Sequence, residues 1–486
     1  MAEEEFSGTD RFRLLAKLGA GSMGAVYRAY DQQQRREVAL KTLERAGATS
    51  LYRFKREFRA LADVAHPNLV CLYELLSERN HWFFTMELLD GVRFRSWVHR
   101  CEQDVPEESS HPGASSGISY ATVPERDGFA PVPNGVIAHR GPARTCDLAR
   151  LRPALRQLVL GVDALHKAGW LHRDIKPSNV VVARDGRVVL VDFGLVTERD
   201  HESIRSSIAR RVVGTPAYLS PEQAACAPLG PASDWYSVGV LLYEALTGRL
   251  PFDGEVGEVL DSKQRRDPVP PSDLVPVPAD LDELCMALLR RRPEDRPDAA
   301  EMLSRLGERN PPATTAAADR RPTVFVGRSK ELRELEEACM ATRSGKAVVF
   351  HVHGSSGMGK SALVEEFLDR VRADRSATVL AGRCYERESV PYKALDSVID
   401  ALSHELRRLG RDAAALLPRD VWPLVRLFPV LKRAKAVDAA PLPAFDTPDP
   451  QQLRRRAFGA LKELLAPSTR SAAAPSREAR MKSMAW

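Results

Sequence analysis

The chain has 486 residues, enough for two or three domains with more than one sizeable core. Its net charge of +6 is small for that length and argues against a dedicated nucleic-acid binder, which would cluster Lys and Arg on one face. Hydrophobic residues make up 44%, so most of the chain should fold, yet no run of about 18 apolar residues is present to span a membrane. The acidic start, MAEEEFSGTD, is the opposite of a signal peptide. Seven cysteines, Cys71, Cys101, Cys146, Cys226, Cys285, Cys339 and Cys384, are scattered with no Cys-x-x-Cys pair. That fits a reducing cytoplasm and offers no metal site.

Behind an N-terminal tail, residues 1–10, the stretches FRLLAKLG, GAVYRAYD and REVALKTL read as strands. LYRFKREFRALADVA places Leu51, Phe54, Phe58, Leu61 and Ala65 at steps of three and four, an amphipathic helix. LVCLYELLSE and HWFFTMELL read as further strands. Residues 102–146 are rich in Pro, Gly and Ser without a clear period and read as a flexible insertion. Helix resumes near Asp147, where Leu148, Leu151, Leu155, Leu158, Val162 and Leu165 share a face, and the chain to Leu306 is expected to be mostly helical. ERNPPATTAAADRRP reads as a linker, residues 307–322. From Thr323, AVVFHVHGSSGMGKSALVEEFLDRV is strand, glycine loop and helix. Residues 467–486 lack an apolar period and read as a disordered tail.

Chemistry-bearing residues follow one another in a fixed order. Gly19, Gly21 and Gly24 in LGAGSMGAVYRA fit either an ordinary tight turn or a cradle for phosphates, and Val26 could cover a base. VALK ends an apolar run in Lys41, a residue costly to bury unpaired. Glu57 on the next helix is its natural partner, although Lys55, Arg56 and Arg59 around it also suit a solvated face. HRDIKPSN offers Asp174 to orient a hydroxyl and take its proton, Lys176 to neutralise a transferring phosphoryl group, and Asn179 as a hard oxygen ligand for magnesium. LVDFG adds Asp192, a second magnesium ligand.

This set, from Phe12 to Leu306, resembles serine/threonine protein kinases of the bacterial eukaryotic-like branch. The resemblance implies an α+β two-lobed protein kinase fold over residues 11–306, with ATP and Mg2+ in the cleft. It implies nucleotide contacts from Leu18, Gly19, Ala20, Gly21, Ser22, Met23, Gly24, Ala25, Val26, Ala39, Lys41, Met86, Glu87 and Leu88, with Met86 as gatekeeper and Glu87 to Leu89 as hinge. Lys41 would hold phosphates and pair with Glu57, Asp174 would be the catalytic base, and Asn179 and Asp192 would hold magnesium. The apolar column of active kinases falls on Leu61, Leu72, His172 and Phe193, tied down by Asp234. SPE at 220–222 replaces the usual Ala-Pro-Glu, and Glu222 can still pair with Arg296. Lys176 and Thr215 follow the serine/threonine pattern. Leu195 to Val213 would be the activation loop, where Arg173 could clasp a phosphate on Thr197, Ser203, Ser206 or Ser207, though SIRSSIARR also suits a merely solvated loop. Every motif residue is present, which argues against a pseudokinase. The insertion departs from the family pattern and is expected to be a spacer, or else a docking or regulatory segment.

GSSGMGKS supplies a second phosphate loop, with Gly354, Gly357, Gly359 and Lys360 for phosphates and Ser361 for magnesium. With FVGRSKELRELEEA before it, residues 323–466 resemble a partial AAA-type ATPase module, an α/β P-loop NTPase domain. No apolar strand ending in acidic residues follows Ser361, and RRRAFGALKELLA reads as the helix before it. The expectation is a truncated module that binds nucleotide weakly and does not hydrolyse it. The functional expectation is therefore a cytoplasmic serine/threonine protein kinase in bacterial signal transduction, acting on protein substrates and on itself. The alternative is a nucleotide-sensing signalling scaffold. The sequence leaves substrate, signal and oligomeric state open.

Overall fold

Three antiparallel strands open the chain: β1 (Phe12–Gly21), β2 (Gly24–Asp31) and β3 (Arg36–Thr42). Burial alternates along β2, as a sheet with one face on a core requires. The computed structural model describes residues 6–21, 24–43, 47–62, 64–78, 81–99, 136–137, 146–192, 216–307, 328–342, 347–355, 358–374, 377–442, 449–466 and 484–485. The chain divides into two compact units, one of Met1–Arg45 with Arg53–Thr315, the other of Ala46–Tyr52 with Ala316–Trp486.

In the first unit the sheet continues through β5 (His81–Met86) to β4 (Leu72–Glu78), in the order β1-β2-β3-β5-β4. Phe12, Tyr27, Val38, Leu40, Leu76 and Phe83 bury one face. Phe6, from the expected tail, packs its ring 5.3 Å from Phe83. Helix α1 (Ala48–Ala62) sets Phe54 and Phe58 with ring centroids 4.9 and 5.8 Å from that of Phe84. The helix ends at Ala62, short of Ala65.

The larger lobe begins with β6 (Gly91–Arg93) and α2 (Phe94–Val98). Within the expected flexible insertion, β7 (Val136–Ile137) pairs antiparallel with β10 (Gly254–Glu255), while 100–135 and 138–145 lie outside the described residues. Helix α3 (Leu148–Lys167) starts where Asp147 accepts hydrogen bonds from the Ala149 and Arg150 amides at its N-terminus. Two strands interrupt the expected helical run: β8 (Val180–Ala183) and β9 (Val188–Leu190), which form a three-stranded sheet with β6. Short α4 (Pro221–Ala224) leads to α5 (Pro231–Thr247). Every residue from Ser233 to Thr247 is buried, so α5 is the lobe's central post. α6 (Val256–Arg265), α7 (Ala279–Leu288) and α8 (Ala299–Arg305) complete it. The expected linker lies, from 308 to 322, outside the described residues.

In the second unit α9 (Ser329–Thr342) and α10 (Lys360–Asp374) share a core of Leu332, Leu335, Leu363, Phe367 and Val371. The strand expected over AVVFHV is not formed. Residues 347–352 carry no strand pairing, and Val349 is 78% exposed. A strand needs a neighbour to take its backbone bonds, and among the described residues none runs beside this stretch. In the tail expected to be disordered, Met484–Ala485 pairs parallel with β11 (Thr378–Val379), and the other residues of 467–486 lie outside the described set. Helices Lys393–Leu409, Trp422–Leu427, Lys435–Asp438 and Pro450–Leu465 enclose a second core that includes Ile399, Leu402, Leu424, Leu431 and Leu461.

Candidate active site

Strand register delivers the first half of the site. Val26 stands opposite Lys41, and Ala39 opposite Met86. Leu18, Ala25, Ala39 and Met86 are buried. Gly19, Ala20 and Gly21 end β1, and Gly24 starts β2 with φ +156°. Ser22 and Met23, between them, lie outside the described residues. Thr42, which the motif reading did not single out, ties the loop's exit: its hydroxyl donates to the Ala25 carbonyl at 3.1 Å and accepts from the Ala25 amide at 3.3 Å. Nothing in a strand-end threonine signals this.

Lys41 is buried, and its ammonium donates to Glu57 Oε1 at 2.7 Å and to Asp192 Oδ1 at 2.9 Å. Burial opposes the charge on Lys41, but the two carboxylates outweigh it and hold the ammonium above its ordinary pKa. Lys41 in turn holds Asp192 below the usual carboxylate range. Glu57 is pushed up, because burial exceeds the relief that Lys41 gives. The reading of Glu57 as a solvated side chain fails: its side chain is 6% exposed and faces Lys41.

The loop between α3 and β8 delivers the second half. Asp234 on α5 accepts the backbone amides of His172 at 2.8 Å and Arg173 at 2.7 Å, and contacts His166 Nε2 at 2.8 Å. These bonds, with the His166 side chain first among them, keep the Asp234 carboxyl below its ordinary pKa despite full burial. Burial pushes His172 down. Asp174 Oδ2 accepts from Lys176 Nζ at 2.8 Å and from Asn179 Nδ2 at 3.1 Å. Asn179 Nδ2 also bonds the Asp174 carbonyl at 2.8 Å, which turns the amide oxygen away. Among the described residues nothing hydrogen-bonds Asp174 Oδ1, although that atom is buried. The Val191 amide donates to the Asn179 carbonyl at 2.9 Å, so Asn179 lies beside the residue that precedes Asp192.

Of the expected apolar column, Leu61, Leu72 and His172 are buried, and Phe193 is outside the described residues. So are Leu195 to Val213, with Thr197, Ser203, Ser206 and Ser207, and Thr215. At the hinge the Glu87 amide donates to the Cys71 carbonyl at 2.9 Å, Leu88 is half-buried, and the Glu87 carboxylate pairs with Arg187, a partner the sequence did not signal. Glu222 and Arg296 do pair, at 2.7 and 2.9 Å. Gln223, also unforeseen, donates to the Arg173 carbonyl at 3.2 Å and so links α4 to the loop of Asp174.

The second phosphate loop has Gly354 at φ +152° and Gly359 at φ +74°. Lys360 Nζ donates to the Gly354 and Ser355 carbonyls at 2.9 Å each. Ser361 is exposed in the first turn of α10, and Gly357 lies outside the described residues.

The family model for the protein kinase domain matches residues 12–118 and 132–306. The chain belongs to the protein kinase domain family. A model for the AAA ATPase domain matches residues 324–475, so a P-loop NTPase segment follows the kinase fold. The serine/threonine-protein kinase PknL of Mycobacterium tuberculosis is 34% identical over 291 residues, 59% of this chain and 62% of that protein. The serine/threonine-protein kinase pkn2 of Myxococcus xanthus is 35% identical over 306 residues, 60% of this chain and 32% of that protein. The chain thus spans less than two thirds of the length of either relative. A solved twitchin kinase region from C. elegans overlaps 63% of this chain and 48% of its own at TM-score 0.46 and 21% identity, too loose to add to the family match.

Proposed function

We propose that this chain is a serine/threonine protein kinase that moves the γ-phosphoryl group of ATP to hydroxyls of proteins, itself included, in bacterial signalling. The observation that carries the reading is the buried Lys41 ammonium held between Glu57 and Asp192. A cation fixed in this way is pre-set for phosphates and needs no reorganisation when they arrive. The names of the similar proteins support the serine/threonine class.

Asp174 acts as the base in this reading. Its Oδ2 is committed to Lys176 and Asn179, and its unpartnered Oδ1 takes the hydroxyl proton as the hydroxyl oxygen bonds phosphorus and ADP leaves. The donor set fits Mg2+: the Asn179 amide oxygen is turned from Asp174, and the Asp192 side chain is 46% exposed with Oδ1 on Lys41. When bound, Mg2+ neutralises phosphate charge. Leu18 to Val26, Ala39 and Met86 to Leu88 surround the nucleotide. Gly354, Gly359, Lys360 and Ser361 form a weaker second phosphate site. We assign residues 11–306 to the kinase domain and 323–466 to the AAA-type segment. We place the protein in the cytoplasm: the six cysteines among the described residues are all free, as a reducing compartment favours. No helix among the described residues is long and apolar enough to cross a membrane.

The test is the intact mass of the full chain beside Asp174→Asn, each before and after phosphatase treatment. Added phosphate on the wild type alone is expected. Equal phosphate on both, or none on the wild type after incubation with Mg-ATP, would remove the reading.

A further inference from the structure

Lys263 belongs to no motif, yet its side chain is among the most deeply buried in the lobe, with 1% of its surface exposed on α6. Its ammonium donates to three backbone carbonyls: Pro216 at 3.3 Å, Ala217 at 2.5 Å and Leu219 at 2.7 Å. It also stands 5.4 Å from the centroid of the Tyr236 ring. A lysine has three donors and no acceptor, so the three carbonyls exhaust it. An apolar side chain would avoid the desolvation penalty of a buried charge, but it could not gather three carbonyl oxygens at one point.

The segment gathered in this way is wired to the catalytic loop. Ser237 donates to the Tyr218 carbonyl at 2.8 Å, and the Tyr218 hydroxyl bonds Glu244 at 2.6 Å. Ser220, the residue after Leu219, caps α4, whose Gln223 reaches the Arg173 carbonyl beside Asp174. Pro216–Leu219 is therefore backbone joined through α4 to the loop of the base, and it is gripped by one ammonium.

We propose that Lys263 is a positioning residue for the protein substrate, its ammonium holding the Pro216–Leu219 backbone in the form that admits the acceptor segment beside Asp174, and releasing it on deprotonation. The proposal rests on the kinase reading above. Burial pulls the pKa of Lys263 down to about 7, and the three carbonyls favour the protonated form against it. Among the described residues no carboxylate pairs with it. The titratable groups on the packed elements are otherwise engaged or distant: Glu222 of α4 is taken by Arg296, Tyr218 by Glu244, and Glu255 of β10 lies in the capping box at the start of α6. Tyr236 of α5 is kept neutral by burial. On α6 itself Arg265 pairs with Asp261 at the surface, and β7 has no titratable side chain.

The experiment uses the full chain, with Asp174→Asn as the blank and myelin basic protein as acceptor, from pH 6.0 to 8.5. In the wild type the KM for acceptor should rise about tenfold across that range, the worth of one charged hydrogen bond, while the KM for ATP does not follow. Lys263→Met should show the high acceptor KM at every pH, and Lys263→Arg, charged throughout, should keep the low value. A Lys263→Met enzyme with wild-type KM and pH profile overturns the proposal. So does one in which kcat and both KM values worsen together, the mark of a merely structural role. Hydrogen exchange of peptides spanning 216–225, corrected for intrinsic rates, is read alongside. Protection should fall from pH 6.0 to 8.5 in the wild type and not in Lys263→Arg, and unchanged protection in the wild type refutes the proposal even if Lys263→Met does not fold. Transfer by the wild type no greater than by Asp174→Asn would instead defeat the kinase reading, and the exchange result still decides whether Lys263 holds the segment.

Discussion

Arg296→Met should destabilise the larger lobe by about 4 kcal/mol, within the range for leaving one partner of a buried ion pair alone. The Arg296 side chain is 0% exposed and the Glu222 side chain 8%. The guanidinium grips Glu222 with two bonds, at 2.7 and 2.9 Å. It also donates to the carbonyls of Ala232 at 2.7 Å, Arg290 at 2.7 Å and Arg291 at 2.9 Å. Methionine keeps the length and apolar bulk but removes every donor, so a buried carboxylate and three carbonyls lose their partner together. For a unit of this size about 4 kcal/mol corresponds to a drop of about 6–8 °C in Tm. Thermal unfolding followed by tryptophan fluorescence measures it. The double variant with Glu222→Gln, whose side chain no longer needs a counter-charge, should cost at least about 2 kcal/mol less than the sum of the two single changes. A loss below about 1 kcal/mol for Arg296→Met, or strict additivity, would refute the view that the pair acts as one buried unit.

Glu57→Gln should leave the fold intact and lower phosphotransfer about 100-fold, because Lys41 then leans toward Asp192 alone; steady-state rates check it, and a change under about threefold would count against the assignment. Asp234 and Glu222 have folded-state pKa values below their ordinary ones, so the stability they contribute is present above about pH 4 to 5 and is lost as pH falls through the depressed values. The destabilisation of Asp234→Asn relative to wild type should accordingly shrink between pH 5 and pH 2, in urea melts across that range. Gly91→Ala should cost about 1–3 kcal/mol, because the new Cβ would lie 2.3 Å from the Val182 carbonyl oxygen and force β6 from β8; a neutral Tm would show that the strands separate freely.

The chain's local signals were sufficient for much of the fold. The period of two in GAVYRAYD and the apolar stripe of the α1 sequence name a strand and a helix, because each buries one face. The charged residues of HRDIKPSN and LVDFG stood out because their order and spacing match the kinase pattern. What failed was AVVFHV, whose composition suits a strand but whose backbone finds no neighbour among the described residues. The pairing of Val136–Ile137 with Gly254–Glu255 was equally invisible, since two residues carry no period.

The sequence by itself determined which groups are present: a lysine ending an apolar strand, a carboxylate on the next helix, an Asp-Asn pair and a later Asp. Tertiary structure alone decided that Lys41 reaches Asp192 as well as its expected partner Glu57, that Asp174 keeps one oxygen unpartnered, and that Arg187, Gln223 and Lys263 find the partners they do. The physical reason is that a side chain's type is local, whereas its burial and partners come from residues tens to more than a hundred positions away. Lys263 reads as one more helix-surface lysine until the backbone of residues 216–219 closes over it.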